Sequence, residues 1–310
     1  MNEVPPLLDI VIVNWNAGNL LHNCVKSVLN SDLSQLSYNI YIVDNNSSDN
    51  SLSLVENLSS NLTIIYSNEN LGFGKACNLG VKNGNSPYLL FLNPDTEIFP
   101  ETIVQSLNFF NDNNHIGILG VKQVDENGNT RKSCSRFLSL KNYISSIFGF
   151  SKYFPNLFKQ ETIMFDWDHE QSKQVDQVMG AYMLMRRDDF ENLGGFDEIF
   201  FVYFEDMDLA KRILTLNKIS FYNSEISIYH KGCGTTDAIQ VKRIIYITIS
   251  KLRYAEKHWS KLKYYILILF TLVFEPITRS IFLLFTGRMV SIIGTLRAYN
   301  TVYCMLISKK

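Results

Sequence analysis

The sequence predicts an α/β chain with a mostly parallel sheet flanked by helices and a helical C-terminal tail. Three observations carry this. Short apolar runs rich in β-branched residues recur at LDIVIVNWN (8–16), NIYIVDN (39–45), TIIYS (63–67) and PYLLFLNPD (87–95). Such runs suit strands buried on both faces. Helical spacing separates them, clearest in the single apolar face of Leu20, Leu21, Cys24, Val25, Val28 and Leu29. Polar residues sit where the strands end, at Asn14, Asp44 and Asp95. In parallel sheets built from β-α units, ligands bind beyond those carboxyl ends.

The remaining elements follow in order. Leu52, Val55 and Leu58 recur every third residue, and a helix starts near Gly72. IGILGVKQ (116–123) reads as a strand, and DENGNT as a hairpin turn centred on Asn127-Gly128. Residues 137–174 are aromatic but have no clear period. VDQVMGAYMLMRR (175–187) reads as a strand, a helix begins near Glu205, and 218–232 hold one or two more strands.

Of the 310 residues, 46% are hydrophobic and 19% charged, which are globular values. Five scattered cysteines without a Cys-x-x-Cys pair suggest reduced thiols rather than a disulfide framework or zinc site. Glu3 and Asp9 stand where a signal peptide would carry cations, so a cytoplasmic protein is expected. The net charge of −1 hides an asymmetry: residues 242–310 sum to +10 and the rest to −11. An acidic body with a basic, apolar tail points to a surface-binding segment. YYILILFTLVF (264–274) is followed by Glu275-Pro276, which suggests a surface-embedded helical hairpin rather than a simple span. The flanking cations Lys257, Lys261, Lys263, Arg288 and Arg297 suit anionic headgroups. The alternative is a helix pair buried against the body or in a homodimer. The expected division is a domain over 1–236 and a tail over 237–310. Nucleic-acid binding is not expected, because the tail's aromatics lie within apolar runs rather than among its cations.

Four constellations carry chemistry, and each has a plainer reading. VDNNSSDNS (43–51) places Asp44 at a strand end and Asp49 near a helix start, as a turn and N-cap also would. NENLGFGKACNLG (68–80) opens a helix with glycines, whose free N–H groups suit a phosphate, although the spacing matches no nucleotide fingerprint. LLFLNPDTEI (89–98) sets Asp95 after an apolar strand, placed to bind a divalent cation or merely to turn the chain. GGFDEIFFVYFEDMDLAKR (194–212) gathers Asp197, Glu205, Asp206 and Asp208 among aromatics. There a carboxylate either caps a helix or gains the raised pKa of a general base. His230 ends an alternating strand, with Gly232 and Gly234 after it.

Taken in this order, IVIVNWN, VDNNSSD, ENLGFGKACNLG, LNPD, GAYMLMRRDDFENLGGFDEIFFVYFEDMDLAKR and IYHKG resemble family 2 glycosyltransferases of the GT-A fold over roughly residues 8–235. The likeness is to the branch containing rhamnosyltransferases of bacterial surface polysaccharides. It implies an inverting transfer from a nucleotide diphosphate sugar to a lipid-linked or glycan acceptor at the inner face of the membrane, dTDP-rhamnose being the expected donor. It also implies that Asp44 binds the base of the donor, with Asn14 lining the nucleotide pocket and Asn70, Lys75 and Asn93 near the donor. Asp95 would ligate Mg²⁺ or Mn²⁺ with His230, and Asp206 beside Glu205 would be the base. Two positions depart from the family pattern. Asn93 replaces a frequent Asp, implying weaker metal binding, and Cys77 replaces a frequent Arg, leaving a phosphate contact to Lys75. A nucleotidyltransferase would need a basic Gly-rich loop after the first strand, which VNWNAGNLLHN does not offer. An inactive sugar-nucleotide-binding scaffold is the other alternative.

Overall fold

A computed structural model describes residues 7–33, 36–154, 156–232, 240–287 and 290–308. Residues 1–6, Gly234, Arg288 and the expected boundary at 236–237 lie outside these residues. The described chain forms two compact units.

The first unit comprises Met1–Ser135, Trp167–Phe201 and Glu205–Thr235. Its strands are β1 (Leu8–Asn14), β2 (Tyr38–Asp44), β3 (Leu62–Tyr66), β4 (Tyr88–Leu92), β5 (Thr96–Ile98), β6 (Ile116–Val124), β7 (Cys134–Ser135), β8 (Lys173–Val175), β9 (Gln177–Val178), β10 (Tyr182–Arg186) and β11 (Ile219–His230). Nine of the described strands make one sheet in the order β3-β2-β1-β4-β10-β6-β11-β5, with β8 also on β11, and β7 pairs β9. The β1-β2, β1-β4, β2-β3 and β6-β11 pairs are parallel, whereas β10 runs antiparallel between β4 and β6. Every residue of β1 is buried, which explains its apolar run without alternation. Chain order reverses at β1, which has β2 on one side and β4 on the other. That is the switch point where such sheets open a crevice.

Helices α1 (Asn19–Leu29), α2 (Phe73–Val81) and α3 (Thr102–Asp112) follow β1, β3 and β5. Buried Leu21, Cys24, Val25 and Val28 form the apolar face the spacing predicts for α1. Leu52, Val55 and Leu58 instead belong to a short 3₁₀ turn, Leu52–Leu54, and the turns after it. The strand expected over 175–187 is broken into β8, β9 and β10, and residues 218–232 give the single strand β11.

The second unit comprises Arg136–Asp166, Val202–Phe204 and Thr236–Lys310. It takes in the aperiodic aromatic stretch as well as the tail. Its helices are α4 (Leu140–Ile147), α5 (Phe150–Tyr153), α8 (Gln240–His258), α9 (Lys261–Leu269), α10 (Glu275–Phe285) and α11 (Val290–Ile307), while α6 (Arg187–Asn192) and α7 (Glu205–Ile213) belong to the first unit. Within the second unit Ser250 Oγ donates to the Val202 carbonyl at 2.8 Å, and the Phe204 and Tyr254 rings lie 5.6 Å apart.

The expected break at Glu275-Pro276 does not occur. Lys261–Phe285 is one 25-residue helical path with a mean hydropathy of 1.9, long and apolar enough to cross a membrane by length and composition. A π turn at Phe270–Phe274 precedes α10, which carries Pro276 in its first turn. The widened turn accommodates a residue that lacks an N–H and crowds the preceding turn. The Glu275 carboxylate is paired rather than bare. Lys251 Nζ lies 3.0 Å and Tyr143 Oη 2.7 Å from its Oε2, and Glu161 Oε1 lies 3.6 Å from the same ammonium.

Candidate active site at the carboxyl edge of the sheet

Parallel pairing of β1 with β2 sets Asn14 opposite Asp44. Asn14 is fully buried, and its Nδ2 donates to Asp44 Oδ1 at 2.8 Å, Ser47 Oγ at 3.0 Å and Ser51 Oγ at 2.8 Å. Asp44 Oδ2 accepts the Ser47 N–H at 3.1 Å. The two loops beyond the strands are also joined. Asn16, at φ 51°, accepts the Ser48 and Asp49 N–H groups, and Asp49 accepts the Gly18 N–H at 2.8 Å. Asp49 therefore ties loops together and also accepts from Ser51, rather than capping a long helix.

The glycine-rich segment has a packing role. Asn45 clamps it, donating to the Gly72 carbonyl at 2.8 Å and accepting from Leu71 N–H at 3.3 Å. Asn70 Oδ1 accepts the Gly72 N–H, and the Phe201 carbonyl accepts the Phe73 N–H. These three N–H groups thus have protein partners. Gly72 holds φ 80°, and a Cβ there would lie 1.9 Å from the Phe201 carbonyl oxygen. Gly74 packs against Phe196 and Glu205. Lys75 is half-buried in the first turn of α2 and forms no ion pair among the described residues. Cys77 is fully buried and burial pushes its thiol well up, so it cannot stand in for a solvent-facing cation.

Past β4 the Asn93 N–H donates to the Ala181 carbonyl, and the Asn93 carbonyl accepts from Thr96. Two residues on, Asp95 Oδ1 lies 3.4 Å from His230 Nε2, both side chains being largely buried. The Lys231 N–H donates to the Asp95 carbonyl, which fixes the end of β11 beside this turn. Burial alone would raise the Asp95 carboxyl, but His230 and nearby backbone N–H groups together hold it below its ordinary value. His230 Nδ1 lies 2.6 Å from Gln123 Oε1. With Nδ1 engaged there, His230 Nε2 and the Asp95 carboxylate face the same small space. A divalent cation would satisfy such a pair of ligands: the carboxylate suits Mg²⁺ or Mn²⁺, and the imidazole favours the transition metal of the two. No cluster of three metal-ligating side chains occurs among the described residues. The pair therefore fits a metal whose coordination is completed by phosphate oxygens or water.

The break between β9 and β10 serves Asp206. Its Oδ2 accepts from Gln177 Nε2 at 2.7 Å and from the Gly180 N–H at 3.2 Å, and its Oδ1 accepts the Met207 N–H at 2.8 Å. Burial pushes the half-buried Asp206 carboxyl above its ordinary value, although these hydrogen bonds pull the other way. Glu205 beside it is buried. The other two carboxylates of the cluster are structural. Asp208 pairs with Arg212 at 2.7 Å, and Asp197 accepts the Ile199 N–H in a turn. Tyr203 and Phe204, just before α7, both hold left-handed backbone at φ 68° and 69°.

Register links these groups: Asn93 bonds Ala181, whose neighbour Gly180 bonds Asp206. Asn45, Gln123 and Gln177 are positioning residues that sequence reasoning missed. Only Asn45 carried a signal, as the neighbour of Asp44.

A family model for glycosyl transferase family 2 matches residues 9–194. The chain is 25% identical over 247 residues to an N-acetylglucosaminyl-diphospho-decaprenol L-rhamnosyltransferase of Mycobacterium tuberculosis, covering 74% of this chain and 78% of that one. It is 25% identical over 257 residues to a GalNAc(5)-diNAcBac-PP-undecaprenol beta-1,3-glucosyltransferase of Campylobacter jejuni, covering 73% and 81%. Among solved structures, the mannosyltransferase PcManGT of Pyrobaculum calidifontis, in complex with GDP-Man and Mn²⁺, superposes with a TM-score of 0.58 at 14% identity, covering 98% of this chain and 86% of that one. GalNAc-T7 with UDP, GalNAc and Mn²⁺ gives 0.59 at 14% identity, covering 84% and 50%. The chain belongs to glycosyl transferase family 2, and it is a glycosyltransferase of the GT-A fold.

Proposed function

We propose that the protein moves a sugar, L-rhamnose from dTDP-rhamnose in the first instance, onto a hydroxyl of a lipid-linked acceptor with inversion. The observation that carries the chemistry is Asp206: a half-buried carboxylate at the head of α7, held by three N–H donors and raised in pKa. A base poised in this way takes the acceptor proton as the hydroxyl oxygen bonds to the anomeric carbon. The bond from that carbon to the donor phosphate breaks, and the diphosphate leaves with the electron pair. Asp44 and Asn14 form the floor of the nucleotide pocket, with Asn70, Lys75 and Asn93 toward the phosphates. Asp95 and His230 would hold Mg²⁺ or Mn²⁺, which when bound offsets negative charge on the diphosphate.

Rhamnose and a lipid-linked acceptor are supported by the mycobacterial relative, an N-acetylglucosaminyl-diphospho-decaprenol L-rhamnosyltransferase. The helix Lys261–Phe285, with only 22% of its most apolar stretch buried, supports attachment to the membrane face where such an acceptor lies.

A donor panel tests the reading. Purified protein with a polyprenyl-diphosphate sugar acceptor should turn over dTDP-rhamnose in preference to UDP-glucose, GDP-mannose and UDP-N-acetylglucosamine. Chelation should stop transfer, and Mg²⁺ or Mn²⁺ should restore it. Preferred turnover of another donor would displace rhamnose, and full activity in chelator would leave Asp95 a turn residue only.

A further inference from the structure

The aromatic stretch without clear period contains a surface that the tail does not explain. Around α5, Phe150 is 44% exposed, Tyr153 73%, Phe154 55% and Leu157 69%. Scattered apolar side chains need no explanation, but four exposed ones within eight residues are a local concentration that does. From Lys141 to Lys159 the sequence holds three lysines and no Asp or Glu. Lys152 is exposed among these aromatics and forms no ion pair among the described residues. The patch also continues onto the apolar helix within the same unit. Phe148 packs 6.1 Å from Phe150 and 6.2 and 6.0 Å from Phe270 and Phe274.

We propose that the turn around α5 is a second membrane-contacting element, which inserts its aromatic and aliphatic side chains shallowly into an anionic bilayer beside the helix Lys261–Phe285. This rests on the reading of that helix as membrane-attached. Aromatic residues favour the headgroup level, and an exposed cation beside them, here Lys152, is drawn to anionic lipid, whereas Lys159 is held by Asp166 at 2.9 Å. A second copy of the chain is the poorer occupant. A two-fold contact centred on Lys152 would set that exposed cation against its own copy, and the nearby carboxylates Glu161 and Asp166 are already taken by Lys251 and by Arg136 and Lys159.

The test uses the full-length protein with phosphatidylcholine vesicles, with and without phosphatidylglycerol, read by co-sedimentation and by mass in solution. The combined variant Tyr153→Ser, Phe154→Ser and Leu157→Ser should bind anionic vesicles at least about tenfold more weakly, since exposed side chains are replaced without opening the core. Lys152→Glu should weaken binding only where phosphatidylglycerol is present. If wild type and the combined variant bind equally, the inference falls while the helix keeps its role. If wild type binds neither vesicle, the helix reading falls and takes this one with it. If the combined variant turns a dimer into a monomer and binds vesicles like wild type, the surface joins copies instead. Should the combined variant aggregate, unchanged binding of Lys152→Glu to anionic vesicles overturns the proposal.

Discussion

Asp206 stands under two opposed influences: burial raises its pKa, and three N–H donors lower it. Burial prevails, so the base form is lost at higher pH than for an ordinary carboxylate. The acid limb of kcat/KM should therefore lie above the usual aspartate range. Gln177→Leu removes one of the stabilising donors and should move that limb further up, measured as a pH–rate profile. Asp206→Asn should lower kcat by about 10²–10⁴-fold while donor affinity by calorimetry stays within about threefold. Near-normal turnover would move the base elsewhere. Asp44, Asp95 and Asp206 were legible as candidates because strand ends and a helix start are visible in sequence. Gln123 and Gln177 were not, since a glutamine's partner depends on strand register and on where a strand breaks.

The glycine-rich segment and the apolar helix show how an element can be read correctly and its packing partners missed. Gly72 and Gly74 do open α2, and they also admit the chain around Phe196 and Phe201, while the Gly72 and Phe73 N–H groups are taken by Asn70 and Phe201. Gly72→Ala should therefore lower both the melting temperature and turnover, through a φ of 80° and a clash at 1.9 Å. Glu275-Pro276 looked like a break because its partners are 24 and 132 residues away, at Lys251 and Tyr143. Removing this buried cation leaves two partly buried carboxylates, Glu275 and Glu161, facing each other without neutralisation. Lys251→Ala should cost about 3–5 kcal/mol of stability, read by chemical denaturation. A loss within about 0.5 kcal/mol, the range of ordinary surface changes, would show that this cluster is solvated rather than buried.

For the molecule as a whole, the parallel sheet was legible because its strands are near-continuous apolar runs. The antiparallel β10 between β4 and β6 was not, since periodicity carries no direction. Nor was the second unit's claim on Arg136–Asp166. Tyr143 is fully buried there against Thr271 and Glu275. A chain ending at Thr236 should thus aggregate, as judged by size-exclusion chromatography. The paired left-handed backbone at Tyr203 and Phe204 has a thermal consequence. Bulky residues leave this conformation readily once their surroundings loosen, releasing about 1–3 kcal/mol each. Asp206 follows two residues later, so its carboxylate would lose its aim when that turn relaxes, while the sheet is still intact. Heated slowly, the enzyme should fall silent several degrees before its circular dichroism begins to change.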